Sequence, residues 1–306
     1  MIKNKHRILV TGGAGFIGSN LVDVLIDKGF DVVIIDNLCT GRKEHLNPKA
    51  EFHQLDIRDL EKIKPLFEGM DYVFHLAARP RIPFSIEYPS EAHTNNALGT
   101  LNVLVASKDA KVKKFIYASS SSVHGDQEKL PLRENMIPKP KSPYALQKLI
   151  GEEYCRLFYE LYGLPTVSLR YFNVYGPRIS LEGAYKLVIG VFLKQKMANE
   201  PLTIEGDGEQ TRDFTHVRDV VQANILAAES NKVGKGEVIN IGAGRNHSIN
   251  KIASLIGGKT INLPPRKGDI RHTLADNTLA RELLGWQPEI NIEEGIEELL
   301  RIFELI

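Results

Sequence analysis

Tyr144 and Lys148 stand four residues apart at the start of a segment with helical spacing, so they share one face, one turn apart. A tyrosine phenol ionises near pH 10 and is a poor base at neutrality. A cation held beside it favours the phenolate, and a second positive charge would add to the effect. Lowering the phenol by about three units takes roughly 4 kcal/mol of differential interaction. Two positive charges in a dry cleft can supply that. By itself such a pair is usually only a surface contact. It gains weight from Ser119, Ser120, Ser121 and Ser122, four consecutive hydroxyls at the end of an apolar strand. A hydroxyl there can hydrogen-bond the same substrate oxygen and relay its proton.

A second constellation suits phosphate. Residues 8–22, ILVTGGAGFIGSNLV, run from a buried strand through Gly12, Gly15 and Gly18 into an amphipathic helix. The glycines let the backbone turn sharply and approach a pyrophosphate, whose charge then sits on the helix N-terminus. Because Gly13 is also present, residues 13–18 fit GxGxxG as well as 12–18 fit GxxGxxG, and spacing leaves the register open. A second strand over residues 31–35 ends at Asp36, where an acidic residue should grip the adenosine ribose hydroxyls. No arginine follows it until Arg42, which favours NAD over its 2′-phosphorylated relative.

The elements needed to hold these groups are legible in the first half of the chain. Strands are expected at residues 8–10, 31–35, 51–55, 72–76, 114–118 and 167–171, with helices over 16–26, 60–67, 97–106 and 144–162. That alternation implies an α/β fold, a Rossmann-type doubly wound parallel sheet. Ligands of such sheets sit outside the carboxyl ends of the strands. Asp36, Asp56, Ala77, Ala78, the serine run and Tyr171, Phe172 and Asn173 all lie at such ends. Past Pro177 the rhythm breaks, and Arg178, Arg212, Arg218, Arg245, Arg266 and Arg271 read as scattered through loops. The expected division is a dinucleotide domain over 1–172 and a smaller substrate-binding part over 173–306, with residues 238–241 rejoining the main sheet.

The bulk numbers exclude more than they assign. With 306 residues the chain can bury a full core. Lys plus Arg (39) nearly balances Asp plus Glu (38), against a nucleic-acid or membrane surface as main partner. Cys39 and Cys155 make neither a disulfide framework nor a metal spacing, so no metal is expected and the reading is cytoplasmic.

Together these segments resemble the extended short-chain dehydrogenase/reductases, and among them the NAD-dependent nucleotide-sugar 4-epimerases of the UDP-glucose and UDP-N-acetylglucosamine type. The resemblance runs from residue 8 to about residue 288. It is carried by TGGAGFIGSNL (11–21), DNLCTG (36–41), HLAA (75–78), YASSSSVHG (117–125), SPYALQK (142–148), LRYFNVYGPR (169–178), GDGEQTRDFTHVRD (206–219) and RKGDIRHTLAD (266–276). It implies Ser120, Tyr144 and Lys148 as the catalytic set. NAD contacts would fall on Gly12, Gly15, Phe16, Ile17, Gly18, Asp36, Asn37, Asp56, Ile57, Leu76, Ala77, Ala78, Asn96 and Tyr171, besides Tyr144 and Lys148. Nucleotide-sugar contacts would fall on Ser120, Ser121, Ser122, Asn173, Ala184, Val188, Arg212, Arg266, Asp269 and Thr273. Arginines suit the diphosphate because their planar fork grips phosphate oxygens in pairs.

The resemblance also implies a chemistry. NAD would accept a hydride from sugar C4 while the Tyr144 phenolate removes the 4-hydroxyl proton, and the 4-keto sugar would turn over and be reduced on its other face. The similar 4,6-dehydratases put Asp-Glu directly after the catalytic hydroxyl. Here Ser121 and Ser122 stand there, and elimination of water lacks its acid and base. His124 replaces a frequent tyrosine and should point away from the sugar. Thr273, seven residues after Arg266, occupies the place of a gate that is bulky where only unsubstituted hexoses are accepted. The expected substrates are therefore UDP-GlcNAc and UDP-GalNAc, with UDP-glucose and UDP-galactose. Alternatives are a UDP-glucuronate epimerase or decarboxylase, with Arg79 or Arg81 meeting the carboxylate, and, more remotely, a silent NAD-binding sensor or scaffold. Relatives commonly dimerise through helices equivalent to residues 96–107 and 144–162. Tyr154, Leu157, Phe158 and Leu161 recur there at a spacing that fits a homodimer seam or a core face.

Overall fold

A computed structural model describes residues 6–181, 187–265 and 271–306. Seven strands form one parallel sheet: β1 Arg7–Thr11, β2 Asp31–Ile35, β3 Glu51–His53, β4 Tyr72–His75, β5 Lys114–Ser120, β6 Thr166–Tyr171 and β7 Lys235–Ile241. Their spatial order is β7-β6-β5-β4-β1-β2-β3. The chain winds outward from β1 through β3, then returns to β4 on the other side. The order therefore reverses between β1 and β4, which opens a crevice at the carboxyl edge there.

Both faces of the sheet are covered, so its strands are apolar in continuous runs rather than alternately. Ile8 and Val10 of β1 pack in one core with Leu21, Leu25, Ile34, Phe74, Ile116 and Val167. Leu9, between them, packs on the opposite face with Val33, Val73, Phe115, Leu104 and Phe158. Helices Phe16–Asp27 and Val217–Glu229 close the first face, and Gly99–Asp109 and Pro143–Tyr162 the second. The segment read as a helix over 97–106 is the last part of a longer run. Pro89–His93 leads through one wide π turn at Thr94–Leu98 into Gly99–Asp109. Phe158 faces the core, whereas Leu161 is 66 % exposed, so the apolar positions of helix Pro143–Tyr162 divide between core and surface.

The second half departs most from its sequence reading. Residues 238–241 lie in β7, parallel to β6. Arg218, expected in a loop, is in the first turn of helix Val217–Glu229, whose apolar positions face the sheet. The ring of His216 accepts the Arg218 backbone N–H (3.2 Å) at the start of that helix. Arg212, also expected in a loop, lies in strand Thr211–Asp213, which pairs antiparallel with Asn246–Ser248. Helices Val188–Met197, Ile249–Ile256 and Ile292–Ile302 build a separate core around Phe192, Ile252, Ile296 and Leu299. No helix among the described residues is long and apolar enough to cross a membrane.

Candidate active site

The glycine turn decides its own register. Gly12 has φ +75°, and a Cβ on it would lie 2.7 Å from the Ala77 backbone nitrogen at the end of β4. A Cβ on Gly18 would lie 2.1 Å from the Gly12 carbonyl oxygen. The Gly15 N–H donates to that same carbonyl (3.0 Å). The 12-15-18 spacing therefore forms the turn, packing the helix directly on the loop. Helix Phe16–Asp27 starts there with no side-chain cap and no acidic residue in its first turn. Phe16 and Ile17 thus present first-turn N–H groups suited to an anion.

Asp36 ends β2 with its carboxylate toward this loop, accepting the N–H of Ala14 (3.0 Å) and of Leu38 (2.8 Å). Burial pushes its pKa up, opposed by those two hydrogen bonds. Asn37 donates to Asp56 (2.8 Å), and Arg58 clasps the same carboxylate at 2.8 and 2.9 Å, holding it down at about 2. Ile57 is buried, its carbonyl held by Asn102 (3.0 Å). Thr11 fastens the end of β4, its carbonyl accepting the Leu76 N–H (3.1 Å) and its hydroxyl that of Ala77 (3.3 Å); Ala78 follows. Asn96 is buried with its amide fully engaged, accepting from the Arg79 N–H (2.7 Å) and donating to Gln147 (2.8 Å). It ties the loop after β4 to the tyrosine helix. Beside Asp36 a cleft of about 310 Å³ opens between residues 38–42 and the segment carrying Arg79, Arg81 and Phe84.

Tyr144 sits in the first turn of helix Pro143–Tyr162, whose N-cap Ser142 accepts the Ala145 N–H (3.1 Å). The Tyr144 N–H donates to the buried Ser85 hydroxyl (3.1 Å), which donates onward to the Ile82 carbonyl (2.7 Å). The phenol is hydrogen-bonded with Ser120, but burial dominates and pushes it up to about 12. Lys148 on its own does not offset that burial, in keeping with the two positive charges the sequence reading called for. The Lys148 ammonium donates instead to the Ala118 carbonyl (2.7 Å), lies over the Tyr117 ring (4.9 Å), and is 5.9 Å from the Tyr144 ring centre. Burial also lowers Lys148 to about 8. A dry face disfavours both charged forms at once.

Ser119 and Ser120 part company. Ser120 faces Tyr144, and its oxygen accepts the Ser122 hydroxyl (2.9 Å) and N–H (3.2 Å) across the turn Ser121–His124. Ser119 donates to Glu152 (2.5 Å) on the far side of the strand end. His124 is buried against Asn240 (3.0 Å), consistent with the expectation that it points away from the sugar. The Tyr171 hydroxyl donates to Asn224 (2.8 Å), inside the core.

From the C-terminal part, Asn173 (φ +29°) donates to the Asp213 carbonyl (2.9 Å), joining the end of β6 to strand Thr211–Asp213. Arg212 donates to the Thr211 carbonyl (3.0 Å). Thr273 is 9 % exposed, and its hydroxyl oxygen accepts the Asp213 N–H (3.2 Å). Val188 begins helix Val188–Met197, half-buried. Ala184, Arg266 and Asp269 lie outside the described residues. Sequence reasoning missed Ser85, Glu152, Arg170 and Asp213. For Glu152 the available signal was its place one turn beyond Lys148; for Arg170, a charge inside an otherwise apolar strand.

Residues 8–242 match the NAD dependent epimerase/dehydratase family. This chain belongs to that family, whose cofactor is NAD. It is 43 % identical over 303 residues to a putative UDP-glucose 4-epimerase of Methanocaldococcus jannaschii, covering 96 % of this chain and 97 % of the relative. A UDP-glucose 4-epimerase of Thermotoga maritima, solved with UDP-glucose, superposes with TM-score 0.93 at 41 % identity, covering 98 % of this chain and 99 % of that one. A UDP-N-acetylglucosamine 4-epimerase of Methanobrevibacter ruminantium, solved with UDP-N-acetylmuramic acid, gives 0.94 at 38 % identity, with the same coverage.

Proposed function

We propose that this chain is a 4-epimerase of UDP-hexoses that interconverts UDP-GlcNAc and UDP-GalNAc, and UDP-glucose and UDP-galactose, through a transient 4-keto sugar. The observation that carries it is the meeting of Ser120, Tyr144 and Lys148 at the end of β5, with Ser121 and Ser122 where a dehydratase would need an acid pair. The glycine turn fits a dinucleotide, because Gly18 lets the helix pack directly on the loop and leaves its uncapped N-terminus open to an anion. Phe16 and Ile17 would hold its pyrophosphate, and Asp36 its adenosine ribose. When bound, NAD supplies the acceptor and donor of the C4 hydride.

Tyr144 is the base toward the 4-hydroxyl, and Ser120 orients that hydroxyl and passes its proton. Lys148 holds its charge beneath the tyrosine, anchored on the Ala118 carbonyl. Because burial keeps the phenol near 12, the phenolate forms only when further positive charge reaches the site. Proton removal is thereby confined to the loaded enzyme. Arg212 and Arg266 grip the diphosphate and leave the sugar free to turn.

Thr273 is the gate for the substituent at sugar C2. Specificity constants for the four UDP-hexoses, with epimers separated after incubation, test this together with the Thr273→Tyr variant. The N-acetylated pair should fall sharply, since overpacking costs roughly 1–3 kcal/mol, while the unsubstituted pair stays usable. A uniform fall, or a wild-type enzyme that rejects N-acetylated sugars, overturns the gate. A second reading, toward UDP-glucuronate, draws on Arg79 and Arg81 at the cleft. Conversion of that sugar in preference to all four hexoses would establish it. Exposed Leu98 and Leu146 on neighbouring helices favour a homodimer, which sedimentation tests.

A further inference from the structure

Helix Pro143–Tyr162 carries a second buried charge, Glu152, one turn beyond Lys148. Three consecutive residues at the end of β5 are each tied to this helix. The Ala118 carbonyl accepts Lys148 (2.7 Å), Ser119 donates to Glu152 (2.5 Å), and Ser120 meets Tyr144. From β6, where Arg170 lies in register with Ser119, the guanidinium grips both carboxylate oxygens of Glu152 at 2.9 and 2.8 Å. Arg170 and Glu152 are 3 % and 2 % exposed. The chain ends on His124, 3.5 Å from Arg170, and on Asn240.

We propose that Glu152 is a positioning residue of this site: pinned by Arg170 and Ser119, it is the counter-charge of Lys148 and holds the lysine and the Ser120-bearing strand end in one register. The inference rests on the reading of Tyr144 and Lys148 as the acid–base pair. The groups facing Lys148 from the surrounding elements are few. His75 of β4 is neutral, held at about 3 by burial. Cys155, on the same helix, stays a thiol, pushed up to about 12. Tyr117 is pushed up well above its ordinary value and Tyr144 to about 12, so both are neutral. Arg170 is held on both carboxylate oxygens of Glu152. Glu152 therefore supplies the full negative charge that opposes the burial of Lys148.

The test is a direct titration of Lys148 by NMR of lysine-labelled protein, with Lys148→Met identifying the resonance and no sugar present. Glu152→Gln should move the Lys148 titration down by about one pH unit or more. The alkaline limb of turnover should move the same way, with KM for the UDP-sugar within about twofold of wild type. Should Arg170, left without its partner, prevent folding, Glu152→Gln combined with Arg170→Gln removes both charges and should still lower the titration. Ser119→Ala leaves the charge in place and should leave the titration unmoved. A Lys148 titration within about 0.3 units of wild type in the folded Gln variant, or an equal shift in Ser119→Ala, overturns the proposal. A wild-type protein that epimerises no UDP-hexose refutes the functional reading instead, and the titration still decides the role of Glu152.

Discussion

Tyr144 is held neutral by its own burial, so the base role proposed for it is conditional on further positive charge. Its phenol is raised to about 12, while Lys148 spends one N–H on the Ala118 carbonyl. The spacing of Tyr144 and Lys148 correctly put them on one helical face, but a sequence does not say how dry that face is, and dryness raises the phenol more than its hydrogen bond with Ser120 lowers it. The serine run was similarly half legible. Four hydroxyls at a strand end were visible, but strand alternation against Glu152 and Tyr144 was needed to send Ser119 one way and Ser120 the other. Tyr144→Phe keeps the ring and removes the ionisable oxygen, so turnover should fall by at least roughly 10²–10⁴ with UDP-sugar affinity little changed. If more than about a tenth of turnover survived, another group would be the base. Ser120→Ala should damage turnover more than Ser119→Ala, whose larger effect should be on thermal stability, since it removes a buried hydrogen bond to a charge.

At the level of elements, the strand–helix alternation up to β6 was readable because each strand except the exposed edge strand β3 is a short, buried and largely apolar run closed by a turn signal. The two short helices Ile82–Glu87 and Pro89–His93 were not, because each is only a turn or so long and carries no repeating apolar face. Helix Val217–Glu229 was missed for another reason. Arg218, near its start, drew it into a set of arginines read as loop residues, although Val217, Val220, Val221 and Ile225 all face the core. The glycine turn was legible in type and ambiguous in register, and the positive φ of Gly12 with its close approach to Ala77 separated the two, while Gly18 packs on the Gly12 carbonyl in either. Gly18→Ala should therefore push the helix off its loop. NAD affinity, read by calorimetry, should fall at least about tenfold, while UDP still binds. Unchanged NAD affinity would mean that the turn is not the phosphate cradle.

The whole molecule joins a doubly wound sheet to a C-terminal part through polar ties that include Asn173 to Asp213 and Arg133 to Asp276. These ties were invisible in sequence because each links residues far apart in the chain. Three histidines among the described residues are buried and neutral, His75, His124 and His216, the last held at about 4, while Asp213, raised to about 6 by burial, acts in the opposite direction. His75, between the hydroxyls of Thr11 and Thr100, is held at about 3, and His124 at about 4, both mainly by burial. Their folded values lie below the ordinary 6.5, so the unfolded chain takes up protons first. Each histidine's contribution is full above about pH 6.5 and is lost as pH falls toward 4, by on the order of 2–3 kcal/mol, and protonation of Asp213 below about 6 offsets roughly one of the three. Denaturant unfolding across that range should show the decline, and a flat profile would contradict neutral burial. In the proposed reaction one hydride leaves C4 and returns to the same carbon. UDP-hexose deuterated at C4, incubated with the enzyme and separated into epimers, tests it most directly. The label should remain at C4 in substrate and product alike, with turnover slowed by the heavier isotope. Exchange of that deuterium for solvent hydrogen in the product would contradict the account.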